Sequence, residues 1–339
     1  MLQKRIDLWK SVLPTVKPFY AVKCNNLPAV LRTLSQSGAG FDCASSDEFE
    51  RVRGSEIIYA NPCKSRKELV KAAEEGIRYT TFDSLSELEK IQEVIPNAKP
   101  VLRIHVDDKG GSRIPLNKKF GLCFDHINTI LDRQPIYGIA FHVGSDCSSV
   151  LSYKSAFDTV KQFMEILGGN QSFRPEVLDI GGGFSGNPDN DSFFTDIVAP
   201  LIRQEISTLP FKRVIAEPGR FFAEESCSLY VEVIGKKTLP DGTESITVDE
   251  SVYGLFSGVL FDGFKPKFTC ITKSLNEEMK PYTIFGRTCD SADRIAEQIW
   301  LPRSIAEGDI IEVPSIGAYS YVSASEFNGF PRSEVQELL

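Results

Sequence analysis

The first two thirds of the chain alternate short apolar runs with amphipathic segments, and this rhythm constrains the fold more than any other feature. Each apolar run has the length of a buried strand, and segments such as 84–94 and 153–167 carry apolar residues at helical spacing. Eight strands in this rhythm predict a (β/α)8 barrel, with an open doubly wound sheet as the alternative. The predicted strands are 19–22, 40–42, 57–60, 79–82, 101–104, 136–142, 177–180 and 214–217.

The pattern changes near residue 223. Beyond it the segments lose helical periodicity and become β-like, separated by turn residues such as the Leu-Pro-Asp-Gly run at 239–242. We therefore predict a barrel domain over 1–223 and a mostly β C-terminal domain over 224–339. The strands predicted in the second domain are 228–233, 244–248, 310–313 and 320–323, with one helix at 291–298.

Composition excludes several functional classes. The 339 residues carry a formal net charge of −8 with acidic and basic residues interspersed, which argues against nucleic-acid or anionic-membrane partners. No apolar stretch approaches the roughly 20 residues of a membrane span, and the N-terminus lacks a signal-peptide core. Eight scattered cysteines contain no Cys-x-x-Cys pair, and the three histidines lack metal-ligand spacing. We expect a cytoplasmic protein with reduced thiols and no metal.

Polar side chains follow the predicted barrel strands. Lys23 comes directly after the apolar run 18–22, and a lysine at such a place is either a solvated charge or a buried amine able to form a Schiff base. Barrel enzymes place their working residues at the C-terminal ends of the strands, so the polar set as a whole favours an active site. The set is Lys23, Asp42, Asn61, Asp83, His105, His142, Asp179 and Glu217.

Two glycine-rich stretches follow the last two predicted strands. Gly181, Gly182 and Gly183 are consecutive, and the run 216–220 reads Ala-Glu-Pro-Gly-Arg. Successive glycines let backbone N–H groups approach an anion closely, and the last two βα loops of barrels commonly bind phosphate. A flexible turn is the alternative, but Arg220 close behind favours a site for a single phosphate group. The spacing fits neither a dinucleotide fingerprint nor a P-loop.

A lysine, a phosphate cradle and a carboxylate on a neighbouring strand end together describe a site for pyridoxal 5'-phosphate. The amine of Lys23 bonds the aldehyde, the glycines hold the phosphate, and Glu217 keeps the pyridine nitrogen protonated. His142 either lies flat against the ring or is a histidine hydrogen-bonded to backbone. The sequence therefore predicts an enzyme that uses pyridoxal phosphate.

Several motifs resemble the eukaryotic ornithine decarboxylase family, in order along nearly the whole chain. The resemblance implies a fold-type III lyase with a barrel followed by a β domain, which works as a homodimer with shared active sites. It also implies decarboxylation of L-ornithine to putrescine and CO2 in polyamine biosynthesis. The motifs are Pro-Phe-Tyr-Ala-Val-Lys-Cys-Asn at 18–25, Gly-Phe-Asp-Cys-Ala-Ser at 40–45, His-Val-Gly-Ser at 142–145, the two glycine loops, Cys-Asp at 289–290, Gly-Ala-Tyr at 317–319 and Phe-Asn-Gly-Phe at 327–330.

The resemblance also implies residue roles. Lys23 forms the Schiff base that exchanges with substrate, Glu217 pairs with the pyridine nitrogen and His142 stacks on the ring. The other cofactor-binding residues are Asp42, Glu48, Ser145, Gly182, Gly183, Gly219, Arg220 and Tyr319. From the partner subunit come Cys289, which protonates the α-carbon, and Asp262 and Asp290, which bind the distal ammonium, with Phe327 closing the pocket.

The chain departs from the family's usual pattern at several positions. Phe261 stands where the family commonly has tyrosine, and Pro115 falls where many members have a basic residue, for which Arg113 is the candidate substitute. The loops 53–56 and 133–135 also look shorter than those of the family.

Asp262 favours ornithine, since viral arginine decarboxylase relatives have glutamate there. Lysine is longer by one methylene, worth about 1–3 kcal/mol of discrimination, so a broader lysine/ornithine decarboxylase is an alternative.

Two further alternatives belong to other functional classes. A non-catalytic regulator of the antizyme-inhibitor type shares the fold and binds a regulatory protein, but it would lack cofactor or proton-donor residues that this chain retains in Lys23, Glu217, Arg220 and Cys289. An antizyme-like regulator is also a candidate partner of the enzyme. Alanine racemase has the same fold type, but it would place a tyrosine where Cys289 lies.

Overall fold

Eight parallel strands close into a barrel in the first of two units. The computed structural model describes residues 1–131, 135–274 and 276–337, so residues 133 and 134 of the loop predicted to be short lie outside the described residues. The two units are Met1–Phe222 and Ala223–Leu339. The strands described in the first unit are β1 (Val16–Ala21), β2 (Gly40–Cys43), β3 (Ile57–Tyr59), β4 (Tyr79–Phe82), β5 (Lys99–Arg103), β6 (Ser112–Ile114), β7 (Ile136–Ala140), β8 (Ser145–Cys147), β9 (Phe173–Asp179) and β10 (Arg213–Ala216).

The barrel order is β1-β10-β9-β7-β5-β4-β3-β2, and β1 closes it by pairing with both β10 and β2. The predicted barrel is therefore confirmed, and each of the eight predicted strands overlaps one observed strand. The two remaining strands, β6 and β8, form a small antiparallel ribbon outside the barrel. All eight barrel strands are parallel, so their carboxyl ends meet at one end of the unit.

Helices alternate with these strands, and the predicted helices 27–37, 64–75, 84–94 and 153–167 are confirmed. Three consecutive helices begin with the same local signal, because Ser45, Ser65 and Ser84 each accept a hydrogen bond from the N–H of the glutamate three residues later. The helices are α1 (Leu2–Val12), α2 (Pro28–Gln36), α3 (Ser46–Arg51), α4 (Arg66–Glu74), α5 (Leu85–Val94), α6 (Val150–Leu167), α7 (Asp191–Phe193), α8 (Ala199–Ile206), α9 (Arg220–Ala223) and, in the second unit, α10 (Ser257–Phe261). A π-helical turn covers Phe194–Val198, and 3₁₀ turns cover Val22–Cys24, Phe124–Thr129, Pro188–Asn190, Glu224–Ser226 and Phe327–Gly329.

An aromatic cluster around Trp9 of α1 fixes the segments that follow β9 and β10. The ring of Trp9 lies 5.0 Å from Phe184, 5.4 Å from Phe221 and 5.8 Å from Phe222, measured between centroids. Its Nε1 donates to the carbonyl of Val16 on β1 at 3.0 Å. Aromatic pairs of this kind contribute about 0.5–1.5 kcal/mol each beyond the area that they bury. The glycine loops, which adjoin these phenylalanines in the sequence, are therefore tied to a rigid part of the barrel.

The second unit is built on a six-stranded sheet. Strand order is β13-β16-β11-β12-β14-β15; β12 and β14 run parallel, and the other neighbours are antiparallel. One face packs on an apolar core that includes Val231, Val233, Ile246 and Ile284. The strands described are β11 (Leu229–Thr238), β12 (Glu244–Val248), β13 (Thr269–Cys270), β14 (Met279–Phe285), β15 (Arg294–Pro302) and β16 (Ile310–Val313).

Three predicted strands of this unit, 228–233, 244–248 and 310–313, are confirmed, and two other predictions are wrong. The segment 291–298 is not helical, because residues from Arg294 onward belong to β15. A bulge at Gln298, whose φ is 56°, interrupts the alternation of side chains between the two faces of β15. The sequence of β15 therefore lacks the two-residue period that predicts a strand. The segment 320–323 is a turn, since the hydroxyls of Ser320 and Ser323 bond the carbonyls of Ile316 and Tyr319.

No helix in the described ranges is both long and apolar enough to cross a bilayer. Among the described residues no cysteine forms a disulfide bond; Cys24, Cys43, Cys147 and Cys270 are buried, while Cys289 is exposed.

Candidate active site

Lys23 stands on the turn that ends β1. Its neighbours Val22 and Cys24 are buried, whereas the Lys23 side chain is 52% exposed at the carboxyl end of the barrel. Its Nζ lies 2.9 Å from Oδ2 of Asp42, a carboxylate that is buried on the adjacent strand β2. The pairing of Ala21 with Asp42 in the barrel brings these two residues together. The amine is thus accessible and oriented by a fixed carboxylate.

Glu48 lies near the same pair. Its Oε2 accepts a hydrogen bond of 2.6 Å from the N–H of Ala44, in the turn between β2 and α3. Burial raises the pKa of Glu48 to about 7, and the Ala44 N–H and the positive charge of Lys23 oppose part of that rise. Three sequence-predicted residues, Lys23, Asp42 and Glu48, are therefore neighbours at one point of the barrel rim.

Two carboxyl groups lie at the ends of β9 and β10. Asp179 is fully buried, and its Oδ1 accepts from the N–H of Gly181 at 2.9 Å. Glu217 follows β10, and its N–H donates to the carbonyl of Gly181 at 2.7 Å. Burial raises the pKa of Asp179 to about 7. It also raises the pKa of Glu217 well above its ordinary value, with the negative charges of Asp179 and Asp42 adding to the effect.

His142 follows β7 and faces the glycine loop. Its Nδ1 accepts a hydrogen bond from the N–H of Gly144 at 3.0 Å, which leaves the proton of the neutral ring on Nε2. Burial lowers the pKa of His142 well below its ordinary value, and the positive charges of Arg103 and Lys23 lower it further. The imidazole is therefore neutral and oriented by backbone, and its stacking on a cofactor ring stays a prediction.

The glycine loop packs so closely on its neighbours that a side chain larger than hydrogen would collide with them. Gly181 and Gly183 have φ values of 63° and 106°, in the left-handed region that favours glycine. A Cβ on Gly182 would lie 2.8 Å from both Nε2 of His142 and the carbonyl oxygen of Glu217. A Cβ on Gly219, in the next loop, would lie 3.0 Å from the Cβ of Cys24. These glycines permit the loops after β1, β9 and β10 to pack closely.

Arginine and serine donors lie beside this loop. Arg220 is buried, and its guanidinium is 3.5 Å from Oγ of Ser145 on β8. The N–H of Cys147 on the same strand donates to the carbonyl of Gly183 at 2.7 Å, which ties β8 to the glycine loop. Arg113 lies on β6, the partner strand of β8, and forms an ion pair of 3.4 Å with Asp146. Guanidinium, hydroxyl and backbone N–H groups in this setting suit a phosphate.

These features of the first unit fit pyridoxal phosphate. Lys23 offers an accessible amine, the carboxyl group of Glu217 could pair with a ring nitrogen, and the glycine loop with its arginine donors suits the phosphate. The fit rests on the chain's own groups at one end of the barrel.

In the second unit, Cys289 and Asp290 are held by two side chains that come from distant parts of the sequence. Oδ1 of Asn328 accepts from both the N–H and the thiol of Cys289, at 3.4 and 3.5 Å. The hydroxyl of Tyr253 donates to Oδ2 of Asp290 at 2.6 Å. Phe327 stacks on the ring of Tyr253 with 4.3 Å between centroids. Three predicted residues, Cys289, Asp290 and Phe327, thus form one group.

The loop that carries Cys289 and Asp290 is anchored by the buried Asp293. Its carboxylate accepts from the N–H groups of Val252 and Thr288, at 2.9 and 3.0 Å, and from the Thr288 hydroxyl at 2.6 Å. Hydrogen bonds from the Ala292 N–H and the Tyr253 hydroxyl lower the pKa of Asp290, so its carboxyl stays ionised near neutral pH.

Two other predicted residues occupy separate segments of the second unit. Asp262 follows α10 and is buried, and its N–H donates to the carbonyl of Gly258 at 2.9 Å. Phe261, directly before it, is 78% exposed. Tyr319 lies in the turn after Gly317, with a φ of 54°.

Comparison with known proteins identifies the family. Residues 1–224 match the family model described as "Pyridoxal-dependent decarboxylase, pyridoxal binding domain". The chain is a pyridoxal-dependent decarboxylase. Ornithine decarboxylase of Schizosaccharomyces pombe is 39% identical to it over 96% of this chain and 79% of that protein. Antizyme inhibitor 2 of Xenopus laevis is 37% identical over 99% of this chain and 76% of that protein.

A solved structure supports the same assignment. The arginine decarboxylase of Paramecium bursaria Chlorella virus, bound to agmatine, superposes with a TM-score of 0.90 at 36% identity, covering 97% of this chain and 91% of that one. The predictions of family, enzyme class and pyridoxal phosphate as cofactor are confirmed. The roles of the individual site residues stay predictions.

Four residues of this decarboxylase have no predicted role, although Asp179 lies beside Glu217 in the first unit and Tyr253, Asn328 and Asp293 support Cys289 and Asp290 in the second. Asp179 ends a strand directly before the glycine loop, and Asn328 lies in the motif at 327–330, so both had a usable signal. Tyr253 and Asp293 carry no signal that a single sequence reveals, because their contacts with Asp290 and Thr288 depend on the fold of the second unit.

Filling the glycine cradle of this decarboxylase is expected to weaken cofactor binding. In Gly182→Ala the new methyl group meets backbone at 2.8 Å, so the loop must shift and the affinity for pyridoxal phosphate should fall about tenfold or more. Gly235→Ala is the matched control, because nothing lies within 4 Å of the added Cβ. Fluorescence titration of pyridoxal phosphate measures both, and equal affinity in the two variants would contradict the proposed cradle.

Proposed function

We propose that the protein decarboxylates L-ornithine to putrescine and CO2, the reaction that supplies a diamine for polyamine synthesis. The observation that carries the proposal is the Cys289–Asp290 group, in which an exposed thiol stands next to a carboxylate kept ionised by its hydrogen bonds. A proton donor beside a cation-binding carboxylate suits an α-amino acid whose side chain ends in an ammonium. The similarity to a named ornithine decarboxylase supports the same substrate class.

Bound pyridoxal phosphate supplies an aldehyde that bonds to amines and a ring that accepts the electron pair left when a carboxylate departs as CO2. Lys23 would bind the aldehyde of the cofactor, and Asp42 orients the amine of Lys23 at 2.9 Å. Glu217 would pair with the pyridine nitrogen and hold a proton there. Cys289 would supply the proton of its Sγ to the α-carbon of the substrate.

The remaining predicted residues position these groups. His142, neutral and held by the Gly144 N–H, offers a flat face to the ring, and Glu48 stands beside Lys23 and Asp42. In this proposal the phosphate is bound by backbone N–H groups and by polar side chains. Its ligands in this proposal are Ser145, Gly182, Gly183, Gly219, Arg220 and Tyr319.

Asp290 and Asp262 choose the substrate in this proposal. Two carboxylates favour a substrate whose side chain ends in a cation. Asp262 is buried, so its side chain has little freedom to move and accommodate a longer substrate. Lysine adds one methylene, which a pocket resists by only about 1–3 kcal/mol, so we expect lysine as a slow secondary substrate. Arginine carries a larger, planar cation, and the similarity to a viral arginine decarboxylase makes it the necessary comparison.

The test is a substrate panel with product analysis. We expect putrescine from ornithine with kcat/KM at least about tenfold above that for lysine, and no agmatine from arginine. Asp290→Asn should raise KM for ornithine about 100-fold, because a charge-assisted contact is lost. Asp241→Asn is the matched control, since Asp241 accepts from the N–H two residues on, as Asp290 does, but lies on an exposed turn. Preference for arginine or lysine in the wild type would overturn the ornithine assignment.

We also propose that the enzyme is a homodimer whose active sites combine the barrel of one subunit with Cys289, Asp290, Asp262 and Phe327 of the other. The exposed apolar side chains next to Asp262 support it: Phe261 is 78% exposed and Leu260 is 48% exposed. Large apolar side chains exposed together at a predicted site are typical of a surface that another chain covers.

A non-catalytic regulator is the second candidate, and the similarity to an antizyme inhibitor favours it. Against it stand the accessible Lys23 amine and the Cys289 thiol in its hydrogen-bonded setting. Purified protein with bound cofactor that releases CO2 from ornithine would exclude this candidate. Protein that binds an antizyme-like partner but neither binds the cofactor nor releases CO2 would establish it.

A further inference from the structure

Asp179 is a fully buried carboxyl group in the neighbourhood of Glu217, which is itself partly buried. Its Oδ1 accepts the hydrogen bond from Gly181, whereas Oδ2 exposes less than 1 Å², and the only side chain of the described residues that hydrogen-bonds the Asp179 carboxyl is that of Glu217. When Glu217 is ionised, an ionised Oδ2 would be a buried acceptor without a donor, which is costly. A protonated Oδ2 is instead a donor that requires an acceptor nearby.

The barrel places Glu217 where that acceptor is needed. Asp179 on β9 pairs with Ile215 on β10, and Glu217 follows two residues later, on the same side of the chain as Ile215. Val177 and Ile215 belong to the apolar cluster inside the barrel. Asp179 and Glu217 lie two residues after them, so both side chains are on the interior side, closer to the carboxyl end of the barrel. Their carboxyl groups interact with each other at the carboxyl end of the barrel.

We propose that Asp179 is a positioning residue for Glu217, retaining a proton on Oδ2 and donating it as a hydrogen bond to the Glu217 carboxylate. The pair then presents a single negative charge to the pyridine nitrogen of the cofactor. No covalent bond changes, and the proton stays on Asp179. The inference rests on the proposed role of Glu217 and adds the group that sets the charge and orientation of that carboxylate.

The charges around the pair support a shared proton. Asp42 on β2 adds a negative charge, while Lys23 after β1 and Arg103 on β5 add positive ones. His142 after β7 adds none, because burial keeps its ring neutral. Burial and the charge of Asp42 raise the pKa values of both Asp179 and Glu217. The charge of Asp179 raises the pKa of Glu217 further, whereas the hydrogen bond with Glu217 lowers that of Asp179, so the pair shares one proton and its doubly ionised form is disfavoured near neutral pH.

The main experiment measures the affinity for pyridoxal phosphate between pH 6 and pH 9 in wild type and in Asp179→Asn. The asparagine amide is neutral at every pH and donates from Nδ2, as the protonated aspartate does. We expect similar affinity below pH 7, and a ratio of the two affinities that changes about fivefold as Asp179 loses its proton above about pH 7. Because groups other than Asp179 titrate in both proteins, their effect cancels in the ratio of the two affinities. A ratio that is constant across this range would overturn the proposal.

Two further variants separate this role from a purely structural one. Asp179→Leu keeps the bulk but has no donor, and it should bind the cofactor about tenfold more weakly than Asp179→Asn at pH 6.5. Equal weakening in the two variants would contradict a hydrogen-bonding role. If Asp179→Leu does not fold, the comparison of wild type with Asp179→Asn still decides. Asp125→Asn, at an exposed site, is the control for the loss of one negative charge.

Stability of the cofactor-free full chain gives a readout that is independent of binding. Asp179 has a raised pKa in the folded state, so its contribution to stability is present below its ordinary pKa and is lost as the pH rises towards 7. The asparagine of Asp179→Asn does not ionise, so this variant does not lose stability in this way. The Tm of Asp179→Asn minus the Tm of wild type should therefore increase between pH 5 and pH 8. A Tm difference that does not depend on pH would count against a retained proton.

Glu217→Gln makes failure of this inference distinguishable from failure of the proposed function. If Glu217→Gln leaves cofactor affinity unchanged, the role proposed for Glu217 is wrong, and the inference falls with it. If Glu217→Gln weakens binding, the double variant with Asp179→Asn decides. We expect the pH-dependent effect of Asp179→Asn to disappear in the Glu217→Gln background. An effect that persists unchanged there would overturn the inference alone.

Discussion

Replacing Lys23 with alanine is expected to remove the visible absorbance of the lysine-bound cofactor and to lower decarboxylase activity by about 1000-fold or more. The amine of Lys23 is exposed at the barrel rim and held 2.9 Å from Asp42, and alanine has no amine with which to bond the aldehyde. Absorbance spectra and CO2 release on ornithine measure the two effects. Lys17→Ala is the control, because Lys17 lies on β1, the strand that leads to Lys23, and pairs with Glu56. An unchanged band in Lys23→Ala would sink the assignment.

Lys64 is the competing lysine in this experiment. Its side chain is fully buried, and burial lowers its pKa to about 8, which are the usual marks of a reactive amine. However, its Nζ donates to the carbonyls of Asn61 and Thr81, at 2.8 and 2.6 Å, and pairs with Glu87 at 3.1 Å. These contacts give Lys64 a structural role. Borohydride reduction of the holoenzyme followed by peptide mapping should therefore label Lys23 and leave Lys64 unmodified.

The barrel was predictable because its strands are buried by the surrounding helices and so appear as continuous apolar runs. The starts of three helices also depend on nearby residues alone, since Ser45, Ser65 and Ser84 cap the helices that follow three consecutive strands. The second unit was harder. Its strand β15 carries a bulge at Gln298, and a bulge removes the two-residue period by which a strand is recognised.

The site was predictable only as far as its residues sit in motifs. Lys23, the glycines and Arg220 follow strands, and a chemical role can be argued for each from its place in the chain. The pairing of Asp179 with Glu217 depends on the register of β9 against β10, which one sequence does not encode visibly. Tyr253 and Asn328 reach Asp290 and Cys289 from 37 and 39 residues away, and no spacing rule predicts such contacts.

Mixing two inactive variants is expected to restore activity if the active sites are shared between subunits. Lys23→Ala destroys the barrel part of a site, and Cys289→Ala destroys the part that the second unit supplies. A hybrid dimer then contains one site with both defects and one site with neither. Random exchange makes half of the dimers hybrid, so recovery should reach about a quarter of wild-type activity.

The control for this mixing experiment uses two defects in the same unit. Lys23→Ala and Glu217→Gln both lie in the barrel, so a hybrid dimer of these two variants has a damaged barrel at each site, and no recovery is expected. Mass-tagged subunits show whether exchange has occurred. Recovery with Cys289→Ala but not with Glu217→Gln requires that Lys23 and Cys289 of one site belong to different chains. If exchange is complete and the first pair stays inactive, each site is built by a single chain. The exposure of Phe261 beside Asp262 would then need another explanation.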